Sequence, residues 1–278
     1  MDIFRRILEI LDTQMTTPVP YGWFHLLFFA ISIGAAVLLC VTHKAGDDVR
    51  VRRVVFFVAV AVTLLEIYKQ INYSFTPTES GIAFDFQWYA FPFQFCSMPM
   101  YIGLLTGAFR KGRIHNALMA FLATYAAFAG VCVMFYPVQV FIGTVGINIQ
   151  TMICHGSMIT VGIYLLYSGY VKPKSRSMLG AMCVFAVCIV CAMILNEIAH
   201  VSGLLESETF NMFFISPYCE PSLPVYSIVQ QHVAFPFCLI IYFAAFSLAS
   251  YLILLIGIGS GRLAKAIKEH RQKKLVLQ

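Results

Sequence analysis

The chain has 278 residues, of which 60% are hydrophobic and only 12% charged, with a net charge of +6 and a mean hydropathy of +0.80. A water-soluble domain carries roughly 25% charged residues, so this composition excludes a soluble globular fold, and its apolar content excludes disorder. What remains is an all-α, polytopic bundle of membrane-spanning helices.

In chain order, residues 3–12 place their apolar side chains on one helical face, which predicts a short interfacial amphipathic helix within residues 1–20. The first long apolar run begins near Tyr21 and is too long for the core of a cleavable signal. Seven apolar runs follow, at about 21–42, 54–75, 88–109, 116–137, 148–170, 178–200 and 233–258. They predict a seven-span domain over residues 21–258, followed by a basic tail over 259–278. The third and seventh runs carry Pro92, Pro99 and Pro236, which a span tolerates where neighbouring helices satisfy the freed carbonyls.

Charge alternates between the loops. Lys44, Arg50, Arg52 and Arg53 follow the first run, Arg110, Lys111 and Arg113 the third, and Lys172, Lys174 and Arg176 the fifth. Arg262, Lys265, Lys268, Arg271, Lys273 and Lys274 make the tail. The loops after the second, fourth and sixth runs hold no basic residue, and between them carry Glu79, Asp85, Glu206, Glu208 and Glu220. The positive-inside rule then predicts the N-terminus outside or lumenal and the C-terminus in the cytosol. Whether the membrane is a bacterial plasma membrane or an endoplasmic reticulum is left open.

Polar groups inside apolar runs are costly and mark function by default. Under the predicted orientation they share the outer half of the membrane: His25 in the first run, then Glu66, Lys69, Gln70 and Asn72, then Gln94 and Cys96, then Gln150 and His155, then Asn196, Glu197 and His200. Gln230, Gln231 and His232 stand at the entrance to the seventh run. Glu66 and Lys69, three residues apart on one helix face, can neutralise each other. The common depth suggests one polar cavity, although spans often simply end in polar residues.

Of the 9 cysteines most lie in or beside apolar runs, so a disulfide framework is not expected. Cys96 paired with His155 is the minimum for an activated thiol nucleophile. Pro92 and Pro99 open the chain around Cys96, and Gln94 or freed backbone amides could hold an oxyanion. A zinc site drawn from His155, His200, His232 and Cys96 or Glu197 is the competing reading, but no local ligand spacing supports it. No metal, cofactor or nucleic-acid partner is expected. Gly103 and Gly107 form a GxxxG that reads as close helix packing.

The segment Trp88-Tyr-Ala-Phe-Pro-Phe-Gln-Phe-Cys96 resembles the W-x-L-P-L-x-x-C segment of the YwaF-type integral membrane family. Glu66-x-x-Lys69, Cys154-His155-Gly156 and Asn211-Met-Phe-Phe before Pro217 are similar to further motifs of that family, in the same order. Phe91 stands where the family usually has Leu. The resemblance spans roughly residues 20–258. It implies kinship with an animal branch of the family implicated in acyl transfer to ether lysophospholipids, with a membrane Cys and His that correspond to Cys96 and His155. The expectation is therefore a phospholipid and lysophospholipid transacylase working through a Cys96 thioester with His155 as base, with lipase activity where water is the acceptor. Gln94, Glu66, Lys69, Asn196, Glu197 and His232 are its expected site-lining residues. A transporter or channel using the same cavity, and a seven-span ligand-binding protein, are the alternatives. The oligomeric state is left open.

Overall fold

The computed structural model describes residues 2–276 apart from 110, 138–139, 206–207 and 221–222; the side chains of residues 2, 224–225 and 258–278 also lie outside the description, and with them the basic tail. The helices are α1 (Asp2–Leu11), α2 (Trp23–Val41), α3 (Asp48–Ser74), α4 (Met98–Ala108), α5 (Arg113–Phe121), α6 (Ala127–Phe135), α7 (Val145–Tyr167), α8 (Ser175–Ser202), α9 (Pro224–His232) and α10 (Phe235–Val276). Two short strands, β1 (Phe75–Thr78) and β2 (Gly81–Phe84), form an antiparallel hairpin in which Phe75 faces Phe84.

Six helical segments among the described residues are long and apolar enough to cross a membrane: Trp23–Val41, Asp48–Ser74, Arg113–Phe135, Val145–Tyr167, Ser175–Ser202 and Phe235–Gly257. The third predicted run is different. Residues 88–97 hold only two short 3-10 turns, Trp88–Ala90 and Phe95–Ser97, and regular helix begins at Met98. The 11 residues of α4 rise about 16 Å, half of a hydrocarbon core of about 30 Å. The prolines explain this. Pro92 lacks an N–H and keeps the preceding residue out of helical geometry. Pro99 sits in the first turn of α4, where a missing N–H costs nothing. Pro236 likewise stands in the first turn of α10 and starts that helix without kinking it.

The fourth predicted run becomes the centre of the bundle. Leu118 to Ala127 are all buried, as expected for a helix that is apolar all round. Leu122–Ala126 form a π-helical turn between α5 and α6. Glycines set the closest approaches. A Cβ on Gly103 would stand 2.6 Å from that of Ala59, so α4 lies directly on α3, and one on Gly162 would stand 2.5 Å from that of Ala127.

The basic loops meet at one end of the bundle. Lys111 pairs with Asp48 at the start of α3 and stands over the Tyr170 ring, and His43 bonds the Tyr164 hydroxyl. At the other end, Tyr68 donates to the Leu11 carbonyl (2.8 Å), and Met15 and Val145 exchange backbone bonds with the segments around Gly143 and Thr13. These contacts tie the end of α1 to the bundle; Leu8 is buried, while Ile3, Phe4, Ile7 and Ile10 stay exposed.

Candidate functional site

Val51, Val55, Ala59, Val62 and Glu66 are the buried residues along most of α3, spaced by three or four. That register turns one stripe of α3 toward α4 and α7, and it carries the Glu66 carboxylate inward with the apolar residues. Glu66 is 6% exposed. Burying a carboxylate costs several kcal/mol unless it is paired and hydrogen-bonded, and here it is both. Oε1 receives Lys69 Nζ at 2.7 Å and Gln70 Nε2 at 2.9 Å, and Oε2 receives Gln150 Nε2 at 3.3 Å from α7. Gln70 also donates to the Ala90 carbonyl (2.8 Å), tying α3 to the non-helical segment that leads to Cys96.

One turn along α7 from Gln150 stands Cys154, whose thiol is 3.7 Å from the Cys96 carbonyl oxygen. His155 is adjacent and so turned about 100° around the helix. Its Nδ1 lies 2.8 Å from the Thr151 carbonyl. A carbonyl only accepts, so Nδ1 carries the proton and Nε2 presents the lone pair. The backbone here is held hard: an ideal Cβ on Gly130 would come within 2.6 Å of the His155 carbonyl, and one on Gly156 within 2.0 Å of Ser32 Oγ. Cys96 and His155 both lie within the electrostatic reach of Lys69. Among the described residues no hydrogen bond joins Cys96 to His155.

Beside this cluster an apolar groove of about 480 Å³ opens on the flank of the bundle. Ile67, Phe75, Phe84, Pro92 and Tyr101 contribute to its walls, and among the described residues Glu66 is the one charged residue lining it.

The other expected site residues go elsewhere. Gln94 donates to the Asn211 carbonyl (3.0 Å) and accepts from the Phe213 N–H (3.1 Å). Asn196 does the same for both backbone groups of Met212, at 3.1 and 2.8 Å. Two side-chain amides thus clamp one segment, whose Phe213 and Phe214 have φ of 60° and 58°. Phe213 is driven among Phe93, Phe95 and Phe185. Glu197 is exposed and accepts the Tyr218 hydroxyl at 2.5 Å, which holds that phenol above its ordinary value. Tyr218 in turn stacks on His200 with ring centroids 3.5 Å apart. His232 is exposed on α9. His25 accepts from the Tyr21 N–H through Nδ1 and donates to the Met134 carbonyl through Nε2, which uses both ring nitrogens structurally. No group of three or more metal-ligating side chains forms among the described residues.

Gln150 is the member whose weight sequence spacing understated. It lies four residues before Cys154 on the same helical face, but nothing local shows that this face meets Glu66, 84 positions earlier.

Six helices among the described residues that are long and apolar enough to cross a membrane fit a multi-pass integral membrane protein. The chain belongs to the TMEM164 family, whose family model matches residues 17–274, nearly its whole length. No curated protein and no solved structure matches it.

Proposed function

We propose that this protein transfers acyl chains between amphiphilic esters inside the membrane, with a phospholipid as donor and a lysophospholipid as acceptor. The observation that carries the reading is the state of His155: its Nδ1 proton is committed to Thr151, which leaves Nε2 as an acceptor, and its neighbour Cys154 lies 3.7 Å from the backbone of the half-buried Cys96. A base oriented by a third group beside a nucleophile is the logic of covalent acyl transfer. The open Cys96–His155 geometry is compatible with it, because catalytic hydrogen bonds in unliganded sites are often long and tighten on substrate. The resemblance to the YwaF-type family, with its acyl-transferring branch, points the same way.

In this scheme His155 Nε2 takes the Cys96 thiol proton as the sulfur attacks the ester carbonyl. The tetrahedral intermediate collapses, the C–O bond breaks, and the leaving alkoxide takes the proton from His155. The acyl chain is then a Cys96 thioester. A lysophospholipid hydroxyl gives its proton to His155 and attacks the thioester, forming the new ester and returning the thiol. Lys69 supplies positive charge for the negative charge that develops, and Glu66, itself held by Gln70 and Gln150, keeps Lys69 in place. The groove beside Glu66 offers a lateral entry for an acyl chain. Gln94 and Asn196 act as positioning residues, since their amides are already committed to residues 211–213.

The test is intact mass spectrometry after incubation with phospholipid. An acyl adduct that maps to Cys96 and is released by hydroxylamine supports the scheme. No adduct with any of several phospholipids, together with full lipid remodelling by Cys96→Ala and His155→Ala, overturns it.

A further inference from the structure

At the end of the bundle away from the hairpin, a cleft of about 730 Å³ lies between the start of α5, the start of α8 and the α7–α8 loop. Five of its lining residues are cations: Lys111, Arg113, Lys172, Lys174 and Arg176. Asp48 is the one carboxylate among the lining residues, and it is already paired with Lys111.

The positive-inside rule accounts for basic residues on this side of a membrane protein, but it asks only that they be in the loops. Here the cations of two separate loops converge on one concavity. The placement also runs against the helix dipole. The N-terminal end of a helix carries partial positive charge and favours acids. Neither α5 nor α8 has an acid in its first turn or a side-chain cap at its N-terminus. α5 begins with Arg113, and α8 with Arg176 one residue inside its start and Lys174 just before it. Cations at two converging helix N-termini repel those termini and each other, and this local rule is broken where an anion completes the site.

We propose that this cleft binds a phosphate-bearing anion, either the headgroup of an acidic phospholipid in the adjacent leaflet or a soluble phosphate ester. Tyr170 forms part of its floor and is itself anchored, its hydroxyl 2.7 Å from His115 Nε2. The cleft lies at the opposite end of the bundle from the groove beside Glu66, so the inference is independent of the Cys96 chemistry.

The experiment is a native mass spectrometry titration of the purified full chain with phosphatidylglycerol and, separately, phosphatidylcholine. Two double variants are compared: Lys174→Gln/Arg176→Gln in the cleft, and Lys44→Gln/Arg53→Gln, exposed cations outside its lining that remove the same charge. All four side chains are exposed, so folding is retained. The expected result is at least tenfold tighter binding of phosphatidylglycerol than phosphatidylcholine, weakened about tenfold or more in the cleft variant and little in the control, consistent with each surface cation's attraction for an anionic headgroup. Glycerol 3-phosphate added as competitor separates the sources. Displacement at millimolar concentration identifies a soluble phosphate ester, and no displacement identifies the lipid headgroup. Equal loss in both double variants, or wild-type binding by the cleft variant, overturns the proposal.

Discussion

Glu66 and Lys69 face one another across 2.7 Å inside the bundle, one helical turn apart, and Gln150 of a different helix completes the carboxylate's partners. Breaking a buried pair by removing one partner leaves the other charge uncompensated and costs about 3–5 kcal/mol. Lys69→Met is therefore expected to lower thermal stability in detergent sharply. The Glu66→Gln/Lys69→Met double variant should recover much of that loss. Equal losses for Lys69→Met and the double variant, measured by unfolding, would show that the pair is not coupled.

The clamp on residues 211–213 gives a second expectation. Asn196→Ala strands the buried Met212 N–H and carbonyl, and an unsatisfied buried group costs about 1–3 kcal/mol. Gln94→Ala does the same for Asn211 and Phe213. Because both amides hold one segment, their effects should be non-additive in a double-mutant cycle. The expected signature is faster proteolysis between α8 and α9, with the α2–α3 loop unchanged.

Gly130 tests the support of His155. A methyl there meets the His155 carbonyl at 2.6 Å and Met158 Cβ at 2.8 Å. Gly130→Ala must push α7 away, at an overpacking cost of about 1–3 kcal/mol. If His155 is the base, the variant should lose acyl transfer by more than its stability loss explains. Gly103→Ala disturbs the α3–α4 contact at Ala59 instead, and should lower stability without that extra loss.

The two neighbouring thiols should separate cleanly. Cys154 is buried against the Cys96 backbone, whereas Cys96 is half-buried in a short 3-10 turn. Cys154→Ala is expected to keep thioester formation and turnover, and Cys96→Ala to abolish both. Adduct mass spectrometry on the two variants distinguishes them, and loss of the adduct in Cys154→Ala alone would reverse the assignment.

Much of the architecture was legible in the chain. The run from 116 to 137 was legible as apolar throughout, and it forms the buried α5–π–α6 column; its central place was not legible, since the runs at 21–42, 88–109 and 233–258 lack Asp, Glu, Lys and Arg as well. Glu66 and Lys69 could be matched from spacing alone, because a helix places i and i+3 on one face whatever surrounds it. The 88–109 run was misleading for a physical reason: hydropathy counts side chains, whereas Pro92 and Pro99 act on the backbone. It yields a short helix behind two 3-10 turns, so that among the described residues six helices, not the seven predicted, are long and apolar enough to cross.

Composition and periodicity by themselves determined that this is a helical membrane protein, where its apolar runs lie, and which loops carry its cations. These are properties of single segments, set by transfer free energy and helix geometry. Tertiary structure decided which polar side chains meet. It joined Gln150 to Glu66, turned Gln94 and Asn196 away from the cluster to hold residues 211–213, and drew two basic loops into one cleft. Those outcomes depend on how helices rotate and cross when they pack, which glycine contacts such as Gly130 on His155 and Gly103 on Ala59 settle at distances no single segment encodes.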